Sequence, residues 1–221
     1  MPRLFSYTIP SDDGAAPNPF HGQCTLAICK PSIRRVAKKD DWIAGLGSKK
    51  AWSGNLEGHL VYAMRVEEVV SMADYDRLAQ NHWPERIPKP LSLDLADRLG
   101  DCIYDFSGGL PPYQRAGVHG AQNVKRDLSG ENVLMSRDYY YFGSRAVALP
   151  EHLLAICHQT QGHRSDSNED YFDDFVYWLR GLGLAAGQLY GWPDHVVDWA
   201  SARRGCGCDV RAAELDDDGG C

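Results

Sequence analysis

NPFHGQCTLAICKPSIRRVAKKDDWIAGLGS, residues 18–48, joins four unlike segments within one short run. A Pro-Asn-Pro turn opens it, followed by a small-residue apolar stretch carrying Cys24 and Cys29. Pro31 breaks that stretch, and a basic connector follows with Arg34, Arg35, Lys38 and Lys39. An Asp-Trp-Ile strand then ends in Gly45-Leu46-Gly47-Ser48, where glycines permit close backbone approach. No single helix or strand requires this combination, so the stretch is the first place to seek a ligand site.

Working outward, 4–9 reads as a strand stopped by Pro10, and 59–70 as the clearest strand, with a nearly continuous apolar run. Ser71 stands where an N-cap would for a short helix. Prolines 84, 88 and 90 break up 81–97, and 107–121 is a second long loop with Gly108-Gly109 and Pro111-Pro112. Strands are expected at 132–136 and 139–143. A helix is expected over 170–179, from apolar positions 172, 175, 176 and 179, closed by Gly181 and Gly183. The pattern predicts an α+β domain over 1–205. Its centre is a small, mostly antiparallel β-barrel with peripheral helices and long loops. Residues 206–221, acidic and rich in Gly and Cys, are expected to be disordered.

The 221 residues carry 43% hydrophobic and 24% charged side chains, ordinary for a globular domain, with a net charge of −7. That balance excludes a protein that coats nucleic acid nonspecifically. Residues 21–60 nonetheless hold seven Lys/Arg against three acids, so a basic patch coexists with an acidic whole. MPRLFSYTIPSDDG lacks the apolar run of a leader, and no stretch approaches the roughly 20 residues of a membrane span, so a cytoplasmic location without membrane partners is expected. The seven cysteines are then expected to be reduced. Cys206, Cys208 and Cys221 lack a second matching pair, and no metal or cofactor is expected. Walker, dinucleotide-binding, His-Glu-x-x-His and zinc-deaminase motifs are all missing.

PNPF (17–20), CTLAICKPSIRRVAKKDDWIAGLGS (24–48), LVYAMRVEEV (60–69), ENVLMSRDYYYFG (131–143) and QGHR (161–164) together resemble the nucleotide modification associated domain 2 family. The likeness covers most of the chain. It implies a role in systems that make or handle modified bases in DNA, with DNA or a nucleotide carrying a modified base, and other DNA-modification proteins, as partners. Where the family has Gly-Asp before Trp-Ile, this chain has Asp40-Asp41, so Asp40 must either avoid or adopt a positive-φ turn. More distantly, the Asp-Trp-Ile and Val-Tyr-Ala-Met-Arg-Val strands are similar to EVE, YTH and PUA-like barrels, which bind modified bases or RNA.

Two readings follow. In the first the protein recognises a modified base. Trp42 or Trp52 with Tyr140 and Tyr141 would form an aromatic pocket, Arg34, Arg35 and Lys38 would hold the backbone, and Asn18, Gly47, Ser48 and Arg164 would complete the nucleotide site. Each has an ordinary alternative: a core tryptophan, a solvated base, a packed tyrosine. In the second reading the protein is an enzyme acting on a nucleotide or modified base. Cys24 or Lys30 would be the nucleophile and His163 the base, oriented by Asp170 or Asp174, which share a helical face. Cys29 is weighed with Cys24 as a thiol beside His21 or as a buried apolar residue, and His119 carries the same ambiguity as His163. A third option is a structural subunit of a modification complex.

Overall fold

The computed structural model describes residues 1–157 and 162–195; the expected disordered tail and its cysteines lie outside them. In chain order, β1 (Leu4–Ile9), β2 (Cys24–Leu26), α1 (Pro31–Val36), β3 (Trp42–Gly47), β4 (His59–Arg65), β5 (Glu68–Ser71) and α2 (Met72–Asn81) come first. Then follow α3 (Leu95–Arg98), β6 (Tyr104–Asp105), β7 (Tyr113–Gln114), α4 (Val124–Leu128), β8 (Asn132–Ser136) and β9 (Tyr139–Tyr141). The last elements are β10 (Val147–Ala148), α5 (Phe172–Gly181) and β11 (Gln188–Leu189).

Among the described residues these strands form a six-stranded, a three-stranded and a two-stranded sheet, and none closes into a barrel. The expected PUA- or EVE-like barrel is therefore wrong, while the α+β mixture stands. Two features set the main sheet apart from the expected barrel. Its first pair, β1 with β3, is parallel, and its order runs β1-β3-β4-β9-β11 with β10 on β4. The long apolar run also divides at Val66-Glu67: β4 pairs with β9 in the main sheet, whereas β5 pairs with β8 in the second. One antiparallel ribbon thus bends from one sheet into another, pinned by the Arg65 amide on the Asp138 carbonyl (3.0 Å) and the Arg65–Asp138 ion pair (2.9 Å).

The main sheet is buried on both faces, which explains why its strands read as continuous apolar runs. Phe5, Tyr7, Ile43, Tyr62, Tyr139 and Tyr141 pack on one face; Trp42, Ala44, Leu60, Tyr140 and Phe142 pack on the other with Phe175 and Leu179 of α5. Ser71 caps α2, its hydroxyl accepting from the Asp74 amide at 3.0 Å. Asp40 takes φ 74°, so the aspartate adopts the left-handed turn that a glycine would enter freely. The basic connector is in fact the short helix α1, started by Pro31 at its first turn.

Behind β9, Asp12 is buried and accepts from the Tyr141 hydroxyl with both oxygens (2.7 and 2.6 Å). Burial pushes its carboxyl up to about 7, opposed by that hydrogen bond and assisted by neighbouring Asp13. An unfolded aspartate titrates near 3.9, so the native state holds an extra proton between roughly pH 4 and 7. The associated stability is fully present below the unfolded pKa and is lost as pH rises through the folded one. Denaturant unfolding is expected to show this residue contributing about 2 kcal/mol more at pH 5 than at pH 8. Asp12→Asn is expected to flatten that dependence.

Candidate active site

Cys29 and Lys30 occupy a tight strand-to-helix turn between β2 and α1, with φ 58° and 39°. Positive φ at two successive non-glycine residues costs on the order of 1–3 kcal/mol each, so something must hold the turn. Arg34, one turn into α1, does so. Its fully buried guanidinium donates to the carbonyls of Cys29 (2.8 Å), Ala27 (2.7 Å) and Asn132 (2.9 Å), and to that of Asp127. The Cys29 amide donates to Asp127 Oδ1 at 3.1 Å.

This turn faces a loop and a short helix from much later in the chain. His119, at the end of the 107–121 loop, places Nε2 3.4 Å from Cys29 Sγ. Its Nδ1 lies 2.5 Å from Asp127 Oδ2, on α4, and that oxygen also accepts from the Tyr104 hydroxyl at 2.9 Å. Gln114 fixes the loop by donating to the carbonyls of His119 and Gly120, both at 3.0 Å. Burial would raise the Asp127 carboxyl, but the His119 hydrogen bond and charge, the Cys29 amide and the Tyr104 hydroxyl together hold it below its usual value. An ionised Asp127 only accepts, which assigns the proton to His119 Nδ1 in the neutral ring. Nε2 is then left as the acceptor, facing the Cys29 sulfur. Cys29 is 2% and His119 8% exposed. Cys29 takes part in a disulfide in the structure, so its thiol chemistry belongs to the reduced protein.

The same three side chains are close enough to hold a metal ion. Their hydrogen bonding fits that role poorly. Both Asp127 oxygens already accept, one from Cys29 N–H and the other from His119 and Tyr104. With Asp127 engaged, the set falls short of the three protein ligands typical of a catalytic zinc.

Cys29, His119 and Arg34 meet here, whereas the other residues singled out from the sequence are scattered by comparison. Lys30 adjoins Cys29, its Nζ 4.6 Å from the centre of the Tyr7 ring; burial and then Arg126 lower its ammonium to about 8. His163 sits with Nδ1 3.3 Å from Ser32 Oγ and its ring against Phe5. Cys24 is buried on β2, where desolvation raises its thiol pKa, and His21 pairs with Asp97 at 3.7 Å. Asp170 is exposed in the 3₁₀ turn before α5. Asn18 is a buried brace, donating to the Leu99 carbonyl and accepting from Arg86, both at 2.8 Å. Arg35 and Lys38 are exposed, Arg35 donating to the Ser129 carbonyl at 3.2 Å. Arg164 bridges the edge of β1 at Ser6.

Of the aromatic residues, Trp42, Tyr140 and Tyr141 are buried; Arg180 lies over the Trp42 ring and donates to the Tyr140 hydroxyl at 2.7 Å. Trp52 is exposed and stacks on His195 with ring centres 3.8 Å apart. Gly47 and Ser48 line a cavity of about 570 Å³ with Thr8, Lys49, Lys50 and Cys157. None of Cys29, His119 or Asp127 borders it.

The fold is a mixed α+β domain in which Cys29, His119 and Asp127 stand in serial contact. The family model described as nucleotide modification associated domain 2 matches residues 1–202, and the chain belongs to that family. No curated protein and no solved structure matches it. Among the described residues no helix is long and apolar enough to cross a membrane.

Proposed function

We propose that this protein is a cysteine-dependent enzyme of nucleotide modification, performing acyl substitution at an amide or ester carbonyl borne by a nucleotide or modified base. The observation that carries the reading is the serial contact Cys29–His119–Asp127 on a turn held by Arg34. A nucleophile on a strained strand-to-helix turn recurs on unrelated folds, so the likeness is one of geometry alone.

His119 Nε2 takes the thiol proton as Cys29 Sγ bonds to the carbonyl carbon. The carbon–nitrogen or carbon–oxygen bond of the substrate breaks, and the proton passes from His119 to the leaving group. Water, or an amine acceptor, then attacks the thioester with His119 as base, and the thiol is restored. Asp127 orients the imidazole and supports its positive charge throughout.

The test is incubation of the reduced protein with nucleotides and oligonucleotides acylated on the base, followed by mass spectrometry of both components. The expected result is loss of the acyl group from the nucleotide or its capture on Cys29, both abolished by Cys29→Ala. Turnover that survives Cys29→Ala overturns the reading.

Recognition of a modified base without turnover is favoured by a different observation, the cavity at the end of β3 lined by Gly47, Ser48, Lys49 and Lys50. The buried Trp42, Tyr140 and Tyr141 lend that reading less support. Under it, Lys50→Glu weakens binding of a modified oligonucleotide about tenfold at low salt, measured by fluorescence anisotropy, and leaves any chemistry at Cys29 unchanged.

A further inference from the structure

The basic connector read from the sequence loses one member to the interior and gains another from far along the chain. Arg34 is fully buried, whereas Arg35 on α1 and Lys38 and Lys39 just beyond it are exposed. The helix α4 packs beside α1 and adds an exposed lysine, Lys125. Two side chains tie the helices together. Arg34 reaches from α1 to the Asp127 carbonyl on α4, and Arg35 Nη1 donates to the Ser129 carbonyl at 3.2 Å. Ser129 closes α4, its amide donating to the Lys125 carbonyl at 3.2 Å, so Lys125 lies one turn from the Arg35 contact.

The outer side of this helix pair is basic. The helix α1 contains no acid, and the single acid of α4, Asp127, is fully buried in the relay. Acids at the margin are engaged elsewhere: Asp41 is buried against Arg3 at 3.1 Å, and Asp40 pairs with Arg65 at 3.4 Å. Glu131, past the end of α4, is the exposed exception. Among the described residues no carboxylate pairs with Arg35, Lys38, Lys39 or Lys125. Four such cations, spread from the end of α1 across to α4, exceed what a single phosphate can engage and suit a row of them. Arg35 stands six residues after Cys29, and Lys125 two residues before Asp127, so the face begins within about 10 Å of the relay.

We propose that α1 and α4 form a docking face for the phosphate backbone of a nucleic-acid strand, so that the base offered to Cys29 arrives as part of a polynucleotide. Cys29 is 2% exposed, and a base held in a duplex stack does not reach such a position, so the strand is single. The proposal rests on the reading of Cys29 as the nucleophile, and it narrows the substrate from any acylated nucleotide to one within a strand. Its binding half is independent of that chemistry.

Binding of a fluorescent oligothymidylate of about 12 nucleotides to the reduced full chain, followed by anisotropy between about 50 and 200 mM salt, tests the face. With four phosphates neutralised, the logarithm of affinity falls against that of salt with a slope of about −2.8, a loss of about fiftyfold over that range. Lys38→Ala and Lys125→Ala are each expected to reduce the slope by about 0.7. Changing Lys38, Lys39 and Lys125 together to Glu is expected to abolish binding and leave the unfolding temperature in place, because all three side chains are exposed. Lys50→Glu, at the separate cavity, is expected to leave the affinity within about twofold. A second arm compares turnover of a base acylated in the free mononucleotide with the same base inside the oligonucleotide. The expected kcat/KM is about tenfold higher for the strand, an advantage the triple variant loses.

A slope near zero, or one unmoved by both single substitutions, overturns the face; mononucleotide turnover abolished by Cys29→Ala would still leave the nucleophile standing. Salt-dependent binding that the triple variant loses, with neither substrate turned over, sinks the acyl chemistry and leaves the face. Polyglutamate that binds as tightly as the oligonucleotide at equal charge overturns the proposal in favour of an acidic polypeptide.

Discussion

Asp127→Asn lowers turnover, and the reactivity of Cys29 at neutral pH, by roughly a thousand- to ten-thousandfold. The carboxylate assigns the proton to His119 Nδ1 and so leaves Nε2 to face the sulfur at 3.4 Å. An amide group can present its NH₂ to Nδ1, which reverses the tautomer and turns Nε2 into a donor. The asparagine oxygen can still accept from the Cys29 amide, as Oδ1 of Asp127 does at 3.1 Å, so the turn has the means to persist. The measurement is the second-order rate of Cys29 alkylation by iodoacetamide at pH 7, beside the unfolding temperature. A loss of reactivity at least a hundredfold beyond any explained by destabilisation is the expected signature. Unchanged reactivity would remove Asp127 from the relay.

Arg34→Met destabilises the domain by about 3–5 kcal/mol, a large share of the 5–15 kcal/mol typical of a domain. The substitution keeps the length of the side chain but removes every donor. It strands the carbonyls of Ala27, Cys29, Asn132 and Asp127, which come from the turn, β8 and α4. Those same contacts hold Cys29 in its left-handed conformation, so the relay is lost with the stability. Denaturant unfolding with near-ultraviolet circular dichroism tests this. Gly130 provides an independent check, because a Cβ there would lie 2.2 Å from Arg34 Nη2. Gly130→Ala is expected to displace the guanidinium and produce a milder form of the same defect. An Arg34→Met protein as stable as the native one would show that water replaces the guanidinium at little cost.

Much of the secondary structure is legible in the sequence, because it rests on local signals. The strand at Leu4–Ile9 ends at Pro10, Ser71 caps α2, and the apolar spacing around Phe175 and Leu179 gives α5. Pairing is not local, and that is where the barrel expectation failed. Nothing in the composition of β1 says that it lies parallel to β3, and nothing in 59–70 marks the bend at Val66-Glu67 that sends β5 to another sheet.

Cys29 and His119 were each weighed from the sequence, but their contact was hidden for a related reason. An arginine in a basic run reads as solvated, and Arg34 is buried because four carbonyls from distant segments converge on it. Cys29 reads as one more small residue of a strand, although β2 ends at Leu26. The available signal was Cys-Lys-Pro at a strand-to-helix boundary. Its partners lie 90 and 98 residues further on, His119 in a glycine-flanked loop and Asp127 in a five-residue helix. Asp127 carries no motif of its own.

The central claim is that His119 activates Cys29, and the pH dependence of Cys29 alkylation by iodoacetamide tests it most directly. The reduced native protein and His119→Ala are compared from pH 5 to 10, with the label located by mass spectrometry. The predicted result is a native Cys29 that remains reactive well below pH 7, because the imidazolium stabilises the thiolate, and a His119→Ala protein that titrates as an ordinary thiol near pH 8.5. A native profile already centred near pH 8.5, and unmoved by His119→Ala, would contradict it.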